Sequence, residues 1–185
     1  LKTRQDSLNY ADKLAGIYAQ DPENDAVLTT LTSTYSALGM QNKAEEIVNS
    51  ALAKNPNSYG ALVMMGQFAS QKKDYETAAN YLSKALEQAK DDNARIAINA
   101  SIGQCWFYKA QERVAAVKGV LSPAARAQFN EVYNKAISYL ETAKKLDTLK
   151  EQKSAWAYPL YGCYYFVKGA QAPETLAAAA DAGVQ

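Results

Sequence analysis
The chain has no histidine among its 185 residues. That removes the commonest general base at neutral pH, the Ser-His and Cys-His nucleophile pairs, and every histidine-dependent zinc site. Carboxylates, lysine or tyrosine could still carry chemistry, but no carboxylate pair stands out. Glu45-Glu46 and Asp91-Asp92 are adjacent, hence on different parts of a helix surface, and read as solvated charges near helix ends. Cysteine is scarce too. Cys105 and Cys163 form no CxxC motif, and each falls among apolar and aromatic residues of an expected helix. They read as buried thiols packing like small hydrophobes. The alternative is a disulfide between neighbouring helices, which would imply an oxidising compartment. No glycine-rich phosphate loop and no metal-ligand spacing appears, so no cofactor, no metal and no enzyme activity is expected.

Charge of either sign is not in excess: 20 Lys and Arg stand against 19 Asp and Glu, a net charge of +1. No charge run exceeds three residues, as in Lys72-Lys73-Asp74. Nucleic-acid binding needs clustered phosphate-neutralising charge, so a nucleic-acid partner is not expected. No apolar run approaches the roughly 18 to 20 residues that span a bilayer. What is present is a globular composition, 48% hydrophobic and 21% charged, in a chain long enough to bury a sizeable core.

The organising feature is a repeat. Pro22 and Pro56 are 34 residues apart, and Tyr10 to Pro22 lies without gaps over Ala44 to Pro56. Leu14 falls on Val48, Ile17 on Ala51, and Gln20-Asp21-Pro22 on Lys54-Asn55-Pro56. A fixed period of this size marks a stacked helical array. Asp25 to Asn57 is its most regular stretch, two short amphipathic helices joined by a glycine turn at Gly39. Small residues there let helices approach, large ones fill the gaps, and apolar residues three and four apart share one helix face. Gly39 suits a left-handed residue that ends a helix, and Asp74 suits an N-cap.

In this pattern the chain resembles the tetratricopeptide repeat (TPR) family. The places where that family prefers particular residues hold Leu28, Leu31, Thr32, Tyr35, Ala44, Val48, Ala51 and Pro56. Only Thr32 departs, since Gly or Ala is usual where the two helices touch. The next unit holds Leu62, Met65, Gly66, Ala69, Ala78, Leu82 and Ala85, with Lys90 where a closing proline is usual. A third holds Ile102, Gly103 and Trp106, then Ala136, Leu140 and Ala143. Gly103 and Ala136 are 33 positions apart, about 21 more than the family's unit would place between them. The extra residues include Gly119, which can end a helix, and Ser122-Pro123, a cap followed by a first-position proline. Both helices are therefore expected to be elongated, over about 93–118 and 123–146, projecting roughly 13 Å at 1.5 Å per residue.

A degenerate fourth unit places Tyr158, Tyr161, Gly162 and Tyr165 on the repeat's core face. Pro159, inside it, is expected to kink or restart the helix. Pro173 opens an alanine-rich last helix through Leu176 to Ala180. The resemblance implies an all-α, right-handed solenoid of antiparallel helix pairs over about residues 5 to 168, within one domain spanning 1–185. Its units are about 25–58, 59–92, 93–148 (with the insertion near 110–130) and 151–181. Residues 5–22 resemble a second helix without its first, and the chain does not begin with Met. The expectation is a piece cut from something longer, in the bacterial periplasm or envelope, with the cytoplasm as alternative.

The resemblance also implies a function. The family's first helices line a concave face that reaches a bound peptide. Carried over, the candidates are Ser33, Gln67, Gln104, Phe107, Tyr108, Trp156 and Phe166. Gln67 and Gln104 would hydrogen-bond an extended backbone, with Phe107 and Tyr108 as apolar anchors. A subfamily that grips a peptide's C-terminal carboxylate uses Lys and Asn at two places in this face. Here those places hold Thr29 with Ser33, Val63 with Gln67, and Ala100 with Gln104, so that clamp is lacking. The expected protein is a non-catalytic scaffold for a protein or peptide partner, with homo-oligomers allowed. The alternative is an accessory glycan-binding component of a cell envelope using the Trp156 to Phe166 aromatics; catalysis in a neighbouring domain is a third reading. The elongated pair carries Val114, Val117, Val120, Leu121, Phe129 and Val132, expected to pack on one another unless the tip contacts a partner.

Overall fold
A computed structural model describes residues 3–169. Among them are eight α-helices and no strand. They are α1 (Arg4–Gln20), α2 (Asp25–Ala37), α3 (Gln41–Lys54), α4 (Tyr59–Gln71), α5 (Tyr75–Glu87), α6 (Asp92–Ala115), α7 (Pro123–Leu146) and α8 (Lys153–Lys168). The last helix expected from Pro173 to Ala180 lies outside the described residues.

Local chemistry sets the boundaries. Thr3, Asn24, Ser58, Asp74, Asp91 and Ser122 each accept, through the side chain, the backbone N–H three residues on. Each thereby satisfies one of the orphan donors of a helix start. Gly39 ends α2 at φ 75°, and Lys73 occupies the matching place after α4 at φ 61°. Both turns close the same way: Met40 N–H donates to the Tyr35 carbonyl and Asp74 N–H to that of Ala69. The lysine adopts a left-handed conformation that glycine takes without steric cost.

Each helix packs on the next in sequence, and first helices also meet, α2 on α4 and α6 on α8. Three consecutive hydrophobic clusters follow, in α1–α4, α4–α6 and α6–α8. The result is an all-α helical-repeat solenoid. The residues expected at the core of the first two pairs are buried, except half-buried Met65. Thr32 is fully buried as well. Its hydroxyl donates to the Leu28 carbonyl at 2.7 Å, so it leaves no unmet donor between the helices.

Close approach depends on glycine. A Cβ added at Gly66 would stand 2.7 Å from Leu82 Cγ, and one at Gly103 2.5 Å from Leu140 Cγ and 3.2 Å from the Ala136 carbonyl oxygen. In both pairs a leucine of the second helix seats directly on the backbone of the first.

The elongated pair is present. α6 and α7 have 24 residues each, against 13 in α4 and α5. The additional turns make the pair about 16 Å longer at 1.5 Å per residue. α7 starts at Pro123 as expected, whereas α6 ends at Ala115, a few residues short of the expected 118. Phe129 is buried, and Val114, Leu121 and Val132 pack against the cluster around it. Val120, at the tip next to Gly119, is 99% exposed.

Two expectations about the fourth unit are corrected. Of the kink or restart expected at Pro159 the restart is absent, and α8 runs through the proline as one helix. Its buried face is Trp156, Ala157, Pro159, Leu160 and Cys163, turned toward α6 and α7, while Tyr158 and Tyr165 are 53% and 54% exposed and Tyr161 is half-buried. Nearly every position from Trp156 to Val167 is apolar or aromatic, so periodicity there does not distinguish one helix face from another.

The glycine contacts lead to a paired prediction. Gly103→Ala should destabilise the protein by about 1–3 kcal/mol through overpacking against Leu140. Gly16→Ala, in α1 with nothing within 4 Å of the new carbon, should instead stabilise it by about 0.5–1 kcal/mol. Urea unfolding of the two variants checks both signs.

Candidate functional site
The backbones of α4 and α6 hardly touch, unlike the other neighbouring first helices. A cleft of about 250 Å³ opens between them. Gln67 and Gln71 project from α4, Ser101, Gln104 and Tyr108 from α6, and Leu82 and Cys105 lie at its floor. No acidic or basic side chain lines it.

Three expected site residues therefore share one cleft: Gln67, Gln104 and Tyr108. Gln67 is exposed, and the Tyr108 ring is 40% exposed, lying 6.2 Å from Tyr75 and 5.3 Å from Phe107 between centroids. Gln104 has a structural role. Its Nε2 donates to the Ala155 carbonyl at 2.6 Å. Residue 159 is proline and has no N–H to give the carbonyl four residues back. Gln104 satisfies the acceptor that Pro159 leaves unmet inside α8.

The other candidates are distributed elsewhere. Ser33 lines a separate hollow between α1 and α2 with Ser7, Thr29, Thr30 and Thr34. The three threonine hydroxyls there donate to carbonyls of α2 itself.

Phe107 is 1% exposed and cannot serve as a free anchor. A Cβ on Gly162 would meet its ring at 2.6 Å, and Tyr158 lies edge-on to it at 6.1 Å. α8 covers the Phe107 part of the α6 face that the repeat pattern had assigned to a ligand.

Trp156 is 4% exposed, and its Nε1 donates to Asp147 Oδ2 at 2.9 Å. The same carboxylate oxygen accepts the Gln152 N–H at 3.1 Å. This buried tryptophan offers no stacking face to a sugar. Phe166 packs on Tyr133 at 4.4 Å, with the Arg126 guanidinium 5.3 Å from its centroid. The pairing of Asp147 with Trp156 carries no sequence signal, because it depends on how the α7–α8 turn folds back.

Charge collects at one end of the cleft, in pairs. Lys109 meets Glu76 at 2.7 Å and Lys73 meets Glu112 at 2.9 Å, while Tyr75 Oη approaches Glu112 Oε1 at 3.5 Å. The Lys109 ammonium holds the Glu76 carboxyl below its ordinary range, and Glu112 holds the Lys73 ammonium above its own. Both cysteines are free and buried, and burial pushes their thiols up to about 11 at Cys105 and about 12 at Cys163. Neither is an activated nucleophile. Among the described residues no cluster of His, Cys, Asp and Glu could hold a metal ion, and no helix is long and apolar enough to cross a membrane.

A family model described as "Tetratricopeptide repeat" matches residues 42–100, the stretch from α3 to the middle of α6. Over that stretch the chain is similar to the tetratricopeptide repeat. Two solved structures of IFIT1 monomeric mutants, one with Gppp-AAAA and one with m7Gppp-AAAA, superpose at a TM-score of 0.70. Both are 18% identical over 91% of this chain and 34% of theirs, so this chain spans about a third of their length. YrrB, described as a TPR protein with an unusual peptide-binding site, is 17% identical over 94% of this chain and 93% of its own, at a TM-score of 0.45. At these identities the likeness to IFIT1 is one of fold. No curated protein sequence matches. TPR proteins bind protein or peptide partners, and the fold typically performs no catalysis.

Two measurements check this account of the cleft. Gln104→Ala should cost about 1 kcal/mol, because it leaves the half-buried Ala155 carbonyl without its donor. The same change made in a Pro159→Ala background should cost clearly less, since residue 159 then donates its own N–H; equal costs in the two backgrounds would break the link. The thiols make a second test. At pH 8 the native chain should react with a thiol reagent far more slowly than the urea-unfolded chain. A pKa raised in the folded state also means stability is full below about pH 9 and falls as pH rises through 11 to 12.

Proposed function
We propose that this chain is a non-catalytic interaction module that holds an extended segment of a partner protein in the cleft between α4 and α6. The observation that supports this reading most directly is chemical. Gln67 and Gln71 face the cleft with no hydrogen-bond partner among the described residues, beside Val63, Ser70, Ser101, Gln104 and Tyr108. Side-chain amides can both donate to and accept from a peptide backbone, and a strand-like segment laid across them would meet both needs. The half-exposed Tyr108 ring supplies apolar contact area beside them.

Rigidity favours this use. The cleft walls are held by the Gly66–Leu82 and Gly103–Leu140 contacts beneath them, so little ordering is required on binding. With no histidine, no activated thiol and no charged side chain in the cleft, binding is the chemistry its residues are suited to.

The test is partner binding by the variant Gln67→Ala, Gln71→Ala, Tyr108→Ala. All three side chains are outside the core, so the helical circular-dichroism signal and melting temperature should stay near those of the parent. Affinity for partners isolated with the parent should fall at least tenfold. A folded variant that binds the same partners equally well would show that the cleft is not the site.

A further inference from the structure
Building on the cleft reading, we propose a class of occupant: an uncharged, proline-containing segment in the extended polyproline conformation. Three features of the cleft and its border converge on this chemistry.

The first is charge. No Asp, Glu, Lys or Arg lines the cleft, and beside Tyr75 Lys73 is paired with Glu112 and Lys109 with Glu76. A charged peptide residue would lose hydration there without gaining a partner.

The second is the polarity of the free hydrogen-bonding groups. Ser101 donates its hydroxyl hydrogen to the Ala97 carbonyl, and Gln104 gives an amide hydrogen to Ala155. The amides of Gln67 and Gln71 and the Tyr108 hydroxyl have no partner among the described residues; all three are exposed, so their N–H and O–H groups can turn to an occupant while the amide oxygens stay hydrated at the open rim. A polyproline helix has no internal hydrogen bonds, so its carbonyls are all available as acceptors, while its prolines bring no N–H that would need satisfying.

The third is a tyrosine border. Tyr75, Tyr108 and Tyr158 form a run of rings along the α5, α6 and α8 surfaces, joined through Phe107 beneath. Tyr108 and Tyr158 are 40% and 53% exposed. Flat amphipathic rings beside hydrogen-bond donors suit the stiff, ridged surface of a polyproline helix, which repeats about every 9 Å. Proline also lowers the ordering cost of the bound segment.

The experiment is selection from a displayed library of random 12-residue peptides against the parent chain, with the Gln67→Ala, Gln71→Ala, Tyr108→Ala variant as counter-target. The expected result is a set enriched in proline and depleted in charged residues, whose members lose at least tenfold in affinity on the variant. Tyr158→Ala, a change at an exposed position, should weaken the same peptides several-fold more than it weakens versions with proline replaced by alanine. Selected peptides that lack proline or carry charge, yet still depend on Gln67, Gln71 and Tyr108, would overturn the proline proposal and leave the cleft reading standing. No enrichment, or peptides that bind parent and variant equally, would overturn both.

Discussion
The distance between paired helices is the constraint on which the rest of this solenoid depends. It is set by glycine under leucine: Leu82 rests on Gly66 and Leu140 on Gly103, with no room for a methyl group. Helices held this close exclude water and fix rotamers along the whole pair. Each pair presents an apolar face it cannot bury alone, so the array is stabilised by stacking, with contacts mainly between neighbours. The first pair has Thr32 in the small-residue place, with its hydroxyl satisfied within its own helix.

The fourth unit shows what happens when that pattern fails. Pro159 lies in mid-helix, where it removes one rung of the hydrogen-bond ladder and would leave a half-buried carbonyl unmet. Gln104 of α6 reaches that carbonyl, and Gly162 of α8 lets Phe107 lie against the α8 backbone. The defect in one helix is thus met by residues of another, which ties α8 to α6. Asp147 adds a further tie by accepting from both the Trp156 indole and the Gln152 amide. These contacts turn aromatic residues that could have lined a ligand surface into core.

How far the fold and the cleft were legible in the sequence follows from this. The 34-residue spacing of Pro22 and Pro56 and the small-large alternation after Asp25 report directly on helix contacts, so the helices and most core positions could be read. The insertion between Gly103 and Ala136 was visible as a distance, and Ser122-Pro123 as a start. Gln67 and Tyr108 could be placed on the first-helix face because their units keep the repeat register. Phe107, Trp156 and the exposed tyrosines could not. In α8 almost every side chain is apolar, so the face that packs is chosen by the shape of α6 and α7 and not by hydrophobicity. The role of Gln104 is a contact across 51 residues and leaves no local trace.

The elongated pair also bears on why the cleft is neutral. The extra turns of α6 carry Lys109 and Glu112 to the start of α5, where they pair with Glu76 and Lys73. Exposed pairs of this kind each contribute only about 0–1 kcal/mol, so they do not hold the solenoid together. Their effect is positional, since they gather charge at the α4–α5 turn and beside the extension. Lys73 has a second part in this, as the residue in the left-handed place that ends α4. The turn that stops the first helix therefore also anchors its neighbour's extension. Between these ends α4 and α6 stand apart, and the side chains facing the gap are amides, hydroxyls and an aromatic ring. A surface of that kind discriminates by shape and by hydrogen-bond polarity, because it has no charge with which to steer a partner from a distance.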